Sequence, residues 1–134
     1  MRKIISAALA TAFLAVAPAQ AAQEKGQEEL AKLLENRVAG EAVRCIDPSR
    51  VQGTTIIDRV GIVYRMPGGK MYLNRPVGGA ESLDDWDVLL TEHWGSNLCA
   101  RQVVKLIDPS SQMLSGMVFL GEFVPYEKIE EARN

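Results

Sequence analysis

The chain has 134 residues, with 15 lysines and arginines against 17 aspartates and glutamates, for a formal charge of −2. That length supports a single hydrophobic core without a metal staple. The slight acidic excess leaves no basic stripe along the sequence, which excludes nucleic acid or an anionic membrane as an electrostatically recruited partner.

Residues 1–21 read as a cleavable export signal. Arg2 and Lys3 give a basic start, residues 4–17 are apolar except for Ser6 and Thr11, and Pro18 interrupts any helix. Ala19-Gln20-Ala21 then matches the small-x-small pattern that signal peptidase accepts, so cleavage is expected before Ala22. The remaining 113 residues carry 13 basic and 17 acidic side chains, a formal charge of −4 once Arg2 and Lys3 are gone. The apolar run falls short of the about 20 strongly apolar residues that a membrane span needs, although an uncleaved anchor is the alternative. The residue directly after the cleavage point is Ala22 and not a cysteine, so a lipid-anchored form is not expected. The compact, alanine-rich signal has a bacterial look and predicts a periplasmic or secreted protein with no stable membrane anchor.

Residues 22–29 are polar and are expected to fray. Leu30, Leu33, Leu34 and Val38 follow at helical spacing, with Glu28 four residues before Lys32 and Gly40 as a stop. This predicts a short amphipathic helix over one end of a sheet; a partner-binding helix is the other reading. Asp47-Pro48-Ser49 and Asp108-Pro109-Ser110 are two similar turns, each after an isoleucine.

Between those turns lies a β-rich centre. Residues 54–57 are β-branched throughout. Residues 61–66 and 70–74 flank Pro67-Gly68-Gly69, a three-residue loop that predicts a hairpin. In that register Tyr64 faces Tyr72 and Val63 faces Leu73. Ile62, Tyr64, Met66 and Tyr72 then share one side, with Val63, Met71 and Leu73 on the other. Neither side is polar, so the hairpin is expected to be covered on both faces or wrapped into a small barrel.

Residues 75–80 form a Pro/Gly-rich loop. The stretch from 83 to 94 reads two ways. Ser82 and Asp85 make a capping box ahead of Leu83, Trp86, Leu90 and Trp94 on one helical face, yet residues 88–91 have strand composition. Residues 102–107 and 117–124 read as strands, and residues 127–134 as one loose helical turn. The expected organisation is a signal at 1–21, an N-terminal segment with a short helix at 22–43, a β-rich domain at 44–126 and a tail at 127–134.

The chemical inventory is thin. Cys45 and Cys99 are the only cysteines, and in an oxidising compartment they most simply form one disulfide, with free thiols or an intermolecular bridge as alternatives. His93 is the only histidine, and no serine sits in a nucleophile elbow. Asp84, Asp85 and Asp87 miss the calcium-loop pattern and read better as a solvated helix start. Gly78-Gly79 lacks the lysine and helix of a phosphate loop. No metal and no cofactor is expected. Tyr64, Tyr72, Trp86 and Trp94 are the candidate ligand surface, against a competing reading in which they fill the core.

Arg44-Cys45-Ile46, the run at residues 61–74, Leu98-Cys99 and the run at residues 120–126 together resemble a family of small exported bacterial proteins catalogued as a domain of unknown function. The resemblance spans about 80 residues. Members of that family often carry four cysteines. The second pair would fall near Gly79 and Val118, where this chain has none, so the resemblance implies that Cys45 pairs with Cys99. It also implies a strand near residues 88–91. It brings no activity and no catalytic residue.

These readings predict an α+β fold, a small, mainly antiparallel β roll or barrel with one N-terminal amphipathic helix. The expected function is a non-enzymatic binding or interaction module for an unknown envelope protein or small ligand. One alternative is a small enzyme using carboxylates such as Asp84, Asp87 or Glu92, whose mark is two carboxyls converging in a cleft. Another is a secreted inhibitor presenting residues 75–80 as a rigid loop.

Overall fold

The computed structural model describes residues 15, 17–92 and 95–130. In chain order these form α1 (Pro18–Leu33), β1 (Arg37–Ala39), β2 (Cys45–Ile46), β3 (Gly53–Ile57), β4 (Gly61–Arg65), β5 (Met71–Asn74), β6 (Val88–Thr91), β7 (Leu98–Cys99), β8 (Val103–Ile107), β9 (Leu114–Phe119) and β10 (Phe123–Lys128). Every pairing among the described residues is antiparallel. The strands lie in a five-stranded sheet of order β1-β10-β5-β4-β3, a three-stranded sheet β6-β8-β9 and a short ladder β2-β7. The fold is α+β, as its patterning predicts.

The hairpin at its centre has the register read from its turn. Gly68 and Gly69 take φ of +79° and +78°, a conformation open to glycine at little cost, and the Met66 N–H donates to the Lys70 carbonyl at 2.8 Å. Tyr64 stands opposite Tyr72 and Val63 opposite Leu73. Both faces are buried, each in its own cluster. Ile62 and Tyr64 join Ile46, Ile56, Leu98, Val104, Leu106, Val118, Leu120 and Phe123 on one side. Val63, Met71 and Leu73 meet Leu30, Ile57 and Val60 on the other. At about 1.5–3 kcal/mol per large apolar side chain removed from water, these two layers are the main source of stability.

The helix is longer than its leucine spacing predicts and starts earlier. Residues 22–29 belong to α1, because their alanine, glutamine, glutamate and lysine are good helix formers, and Pro18 sits in the first turn where a missing N–H costs nothing. The helix therefore crosses the expected cleavage point after Ala21; most of the expected leader, residues 1–14 and 16, lies outside the described residues. Val38 is not on the helix. Asn36 turns the chain at φ +58°, and Val38 is an exposed member of β1, paired with Glu127 of β10. Gly26 and Leu30, one helical turn apart, face the sheet. Gly26 lies directly on the Asp58 carbonyl, leaving no room for a Cβ.

The C-terminal run also differs from its reading. The expected strand at 117–124 is two strands, broken at Leu120–Gly121–Glu122 where the chain passes from one sheet to the other. Glu127 and Lys128 are not helical; they continue β10 against β1, which ties the segment at 22–43 into the main sheet. Residues 131–134 lie outside the described residues. In the ambiguous stretch the strand prevails. Val88–Thr91 pairs with β8, and the Ser82/Asp85 helix start does not form, because Asp84 caps the Trp86 N–H in a tight turn instead.

Cys45 and Cys99 face each other across β2 and β7 and are bonded, so neither is a free thiol. Both Asp-Pro-Ser turns close on their aspartate. The Ser49 hydroxyl and N–H hold Asp47 below the usual carboxylate range, and the N–H groups of Ser111 and Ser110 do the same for Asp108. No described helix is long and apolar enough to cross a membrane.

Candidate binding face

In the β6-β8-β9 sheet side chains alternate between two environments. Leu89, Val104, Leu106 and Val118 point into the core. The opposite face carries Val88, Leu90, Val103, Lys105, Ile107, Met117 and Phe119, and the register places these side by side. Val88 stands opposite Ile107, Lys105 lies between Leu90 and Met117, and Val103 is opposite Phe119. A bulge at Leu106/Ile107 brings Leu114 beside Ile107. Beyond β9, Val77 extends the row through a bridge between Gly78 and Phe119.

Most of these side chains are in water. Phe119 is 46% exposed and Val77 72%, with Val88, Leu90, Leu114 and Met117 comparable. Together they present a row of exposed apolar side chains, the kind of patch that marks interaction sites on monomers. The only charge inside the row is Lys105, whose Nζ lies 3.1 Å from Glu92 Oε2. The face is therefore apolar and locally neutral.

Of the residues expected to form a ligand surface, Tyr64, Tyr72 and Trp86 lie among the described residues and do not share one exposed surface. Tyr64 is a core residue, 3% exposed, with its ring edge-on to Phe123 at 5.7 Å. Its hydroxyl has no hydrogen-bond partner, and burial pushes its pKa well above the usual tyrosine value. Tyr72 is half-buried, its ring also edge-on to Phe123 at 6.5 Å, with the Lys70 ammonium 5.0 Å from its ring centre. Among the described candidates Trp86 alone is open, at 65% exposure, on the turn before β6. Trp94 and His93 lie outside the described residues. The tyrosines face inwards because the hairpin is covered on both sides, so its larger side chains belong to the core.

The carboxylates named for catalysis are engaged separately. Glu92 is paired with Lys105, Asp87 accepts from the Ser115 hydroxyl at 2.6 Å, and Asp84 accepts from the Trp86 N–H at 2.9 Å. Asp84 does lie within 4.8 Å of Asp58 and Asp85. That cluster builds a turn, with the Asp85 N–H donating to Asp58 Oδ1 at 2.7 Å. The loop at 75–80 is tied to the edge of β9. Val77 and Gly78 are hydrogen-bonded to both sides of Phe119, at 2.9 Å each.

The outward face of β8 was present in the sequence, but unreadable as such. Val103-Val104-Lys105-Leu106-Ile107 is apolar at both parities, and such a strand reads as buried on both sides. Comparison with protein-family models, with curated proteins and with solved structures finds nothing that matches this chain.

Proposed function

We propose that this chain is an exported, non-enzymatic binding module of the bacterial envelope that docks a protein partner on the outward face of the β6-β8-β9 sheet. The observation that carries the reading is the row Val88, Leu90, Val103, Met117 and Phe119, left in water on a sheet whose other face already supplies the core. One buried face is enough to hold an antiparallel sheet, so the second apolar face has no folding role. Large exposed apolar patches rimmed by polar groups are characteristic of interaction sites. The Cys45–Cys99 bond supports an oxidising compartment, where disulfides persist. The export-like start of the sequence supports the same placement.

The test is site-specific photo-crosslinking in cells exporting the protein. A crosslinker at Phe119 or Leu90 is expected to give one adduct of defined mass, and the same group at exposed Arg50 is expected to give none. Met117→Lys, an outward change that leaves the core untouched, should abolish the adduct. Adducts formed equally from Arg50, or none from either face position, would refute the reading.

A further inference from the structure

Three arginines far apart in the sequence meet around one hollow. Arg44 precedes β2, Arg75 follows β5 and Arg101 lies in the β7–β8 turn. With Val77, Gly121 and Glu122 they line an open depression of about 530 Å³. All three are exposed. Among the described residues the ion pairs are Lys70–Glu127 and Lys105–Glu92, so none of the three guanidinium groups is neutralised by a carboxylate. Three arginines and one glutamate give the lining a formal charge of +2 on a chain whose own charge is −2.

The backbone around this hollow is held firmly. The Arg44 carbonyl accepts from the Ala100 N–H at 2.8 Å, beside the disulfide that joins their neighbours Cys45 and Cys99. Arg75 follows Asn74, the one fully buried polar side chain among the described residues. Its amide donates to the Gly121 carbonyl at 2.8 Å and accepts from the Gly121 N–H at 2.9 Å. The Arg101 N–H donates to the Leu120 carbonyl at 2.8 Å, with Arg101 at φ +71°, where a long side chain is uncommon. The disulfide, the buried amide and the left-handed residue thus all brace one depression. Unpaired like charges gathered on a rigid base oppose folding, and an anion would relieve them. Planar guanidinium forks match oxyanions in geometry as well as charge.

We propose that this depression is a binding site for a dianionic oxyanion group of the phosphate type, held by Arg44, Arg75 and Arg101. The net charge of the lining matches a dianion. A second hollow of about 450 Å³, lined by Val77, Gly78, Arg101 and Phe119, shares Val77 and Arg101 with the first. That wall is apolar, so the phosphate group can belong either to a small polar ester or to an amphiphile whose chain lies along Val77 and Phe119. The anion site rests on the arginines alone; only the amphiphile arm shares Val77 and Phe119 with the protein-docking face.

Isothermal titration of the exported, oxidised protein with inorganic phosphate, and then with a short alkyl phosphate below its micelle concentration, tests the proposal. Single-site binding is expected. Arg75→Gln and Arg101→Gln should each weaken it by about tenfold or more, while Arg50→Gln, at an exposed arginine that does not line the hollow, leaves it unchanged. An alkyl phosphate that binds much more tightly than phosphate identifies the amphiphile as the source; equal affinity identifies a small phosphate compound. Arg75 presents its side chain from a loop, so its variant keeps the test open if the Arg101 variant unfolds. No binding of either probe, or binding that survives the Arg75→Gln/Arg101→Gln double substitution in a folded protein, overturns the proposal.

Discussion

Asn74 and Gly121, 47 residues apart in sequence, are joined by two hydrogen bonds between one side-chain amide and one backbone unit, at 2.8 and 2.9 Å. The pair lies where the chain crosses between sheets after β9, and it supplies the partner that a buried peptide group must have. Asn74→Asp keeps the shape but loses the donor and sets a carboxylate at a site with no solvent exposure. Stability should fall by about 2–4 kcal/mol, read as a lower urea midpoint at unchanged slope. Asn74→Leu should cost a similar amount by orphaning both Gly121 groups. A variant as stable as the parent would mean that water or a backbone shift replaces the amide.

Tyr64 gives a prediction at the alkaline end. Its hydroxyl is buried without a partner, so Tyr64→Phe is expected to be neutral or to stabilise by about 1 kcal/mol near neutral pH. Burial raises the pKa of Tyr64 in the folded state well above the ordinary tyrosine value of about 10. Its contribution to stability is therefore complete below about pH 10 and declines as the pH rises, because the unfolded chain releases the proton first. Urea unfolding across that range should show a decline in the parent protein that is shallower, by about one proton, in Tyr64→Phe. Equal slopes would mean that the hydroxyl reaches water or accepts a hydrogen bond in the folded protein.

How far the fold was legible depended on whether the signal was local. The hairpin register came from Pro67-Gly68-Gly69 and strand alternation, both within a few residues, and it matches down to the Tyr64–Tyr72 pair. Apolar spacing marks only the C-terminal half of α1. Propensity from Ala22 to Glu29, together with the contact of Gly26 on Asp58, carries the helix back to Pro18. β1 has only three residues and is defined by its partner β10, so no local pattern marks it. The candidate sites were the least legible. Tyr64 and Tyr72 drew notice as aromatic residues, yet the open face consists of aliphatic side chains whose exposure depends on which sheet lies behind them. Arg44, Arg75 and Arg101 meet only through the β2–β7 ladder and the Asn74–Gly121 contact.

Gly26 separates propensity from packing. Glycine to alanine in the interior of an exposed helix ordinarily stabilises by about 1 kcal/mol. Here a Cβ would strike the Asp58 carbonyl and come within 2.9 Å of Val60 Cγ2, so α1 would have to move off the sheet. Gly26→Ala should therefore destabilise, by about 1–3 kcal/mol, whereas Gln27→Ala on the exposed side of the same turn should be neutral or slightly favourable. Thermal melts of the two variants decide it. A stabilised Gly26→Ala would show that the helix is not seated on Asp58 as described.

The disulfide closes a loop with a sequence separation of 54, and β2 and β7 are only two residues each. So short a ladder has little pairing energy of its own, and the bond is what holds it against the unfolded chain's freedom. On the chain-entropy account a loop of that size is worth about 4 kcal/mol. Cys45→Ser should lower the melting temperature strongly, Cys99→Ser by the same amount, and the double variant by no more than either, because all three lose one constraint. Reduction of the parent protein should reproduce the shift. The consequence reaches beyond stability. Arg44 and Arg101 flank the bonded cysteines, so any anion bound in their hollow should bind more weakly to the reduced protein even where it remains folded. A melting curve unchanged by Cys45→Ser would remove both the stability claim and the bracing of the arginines.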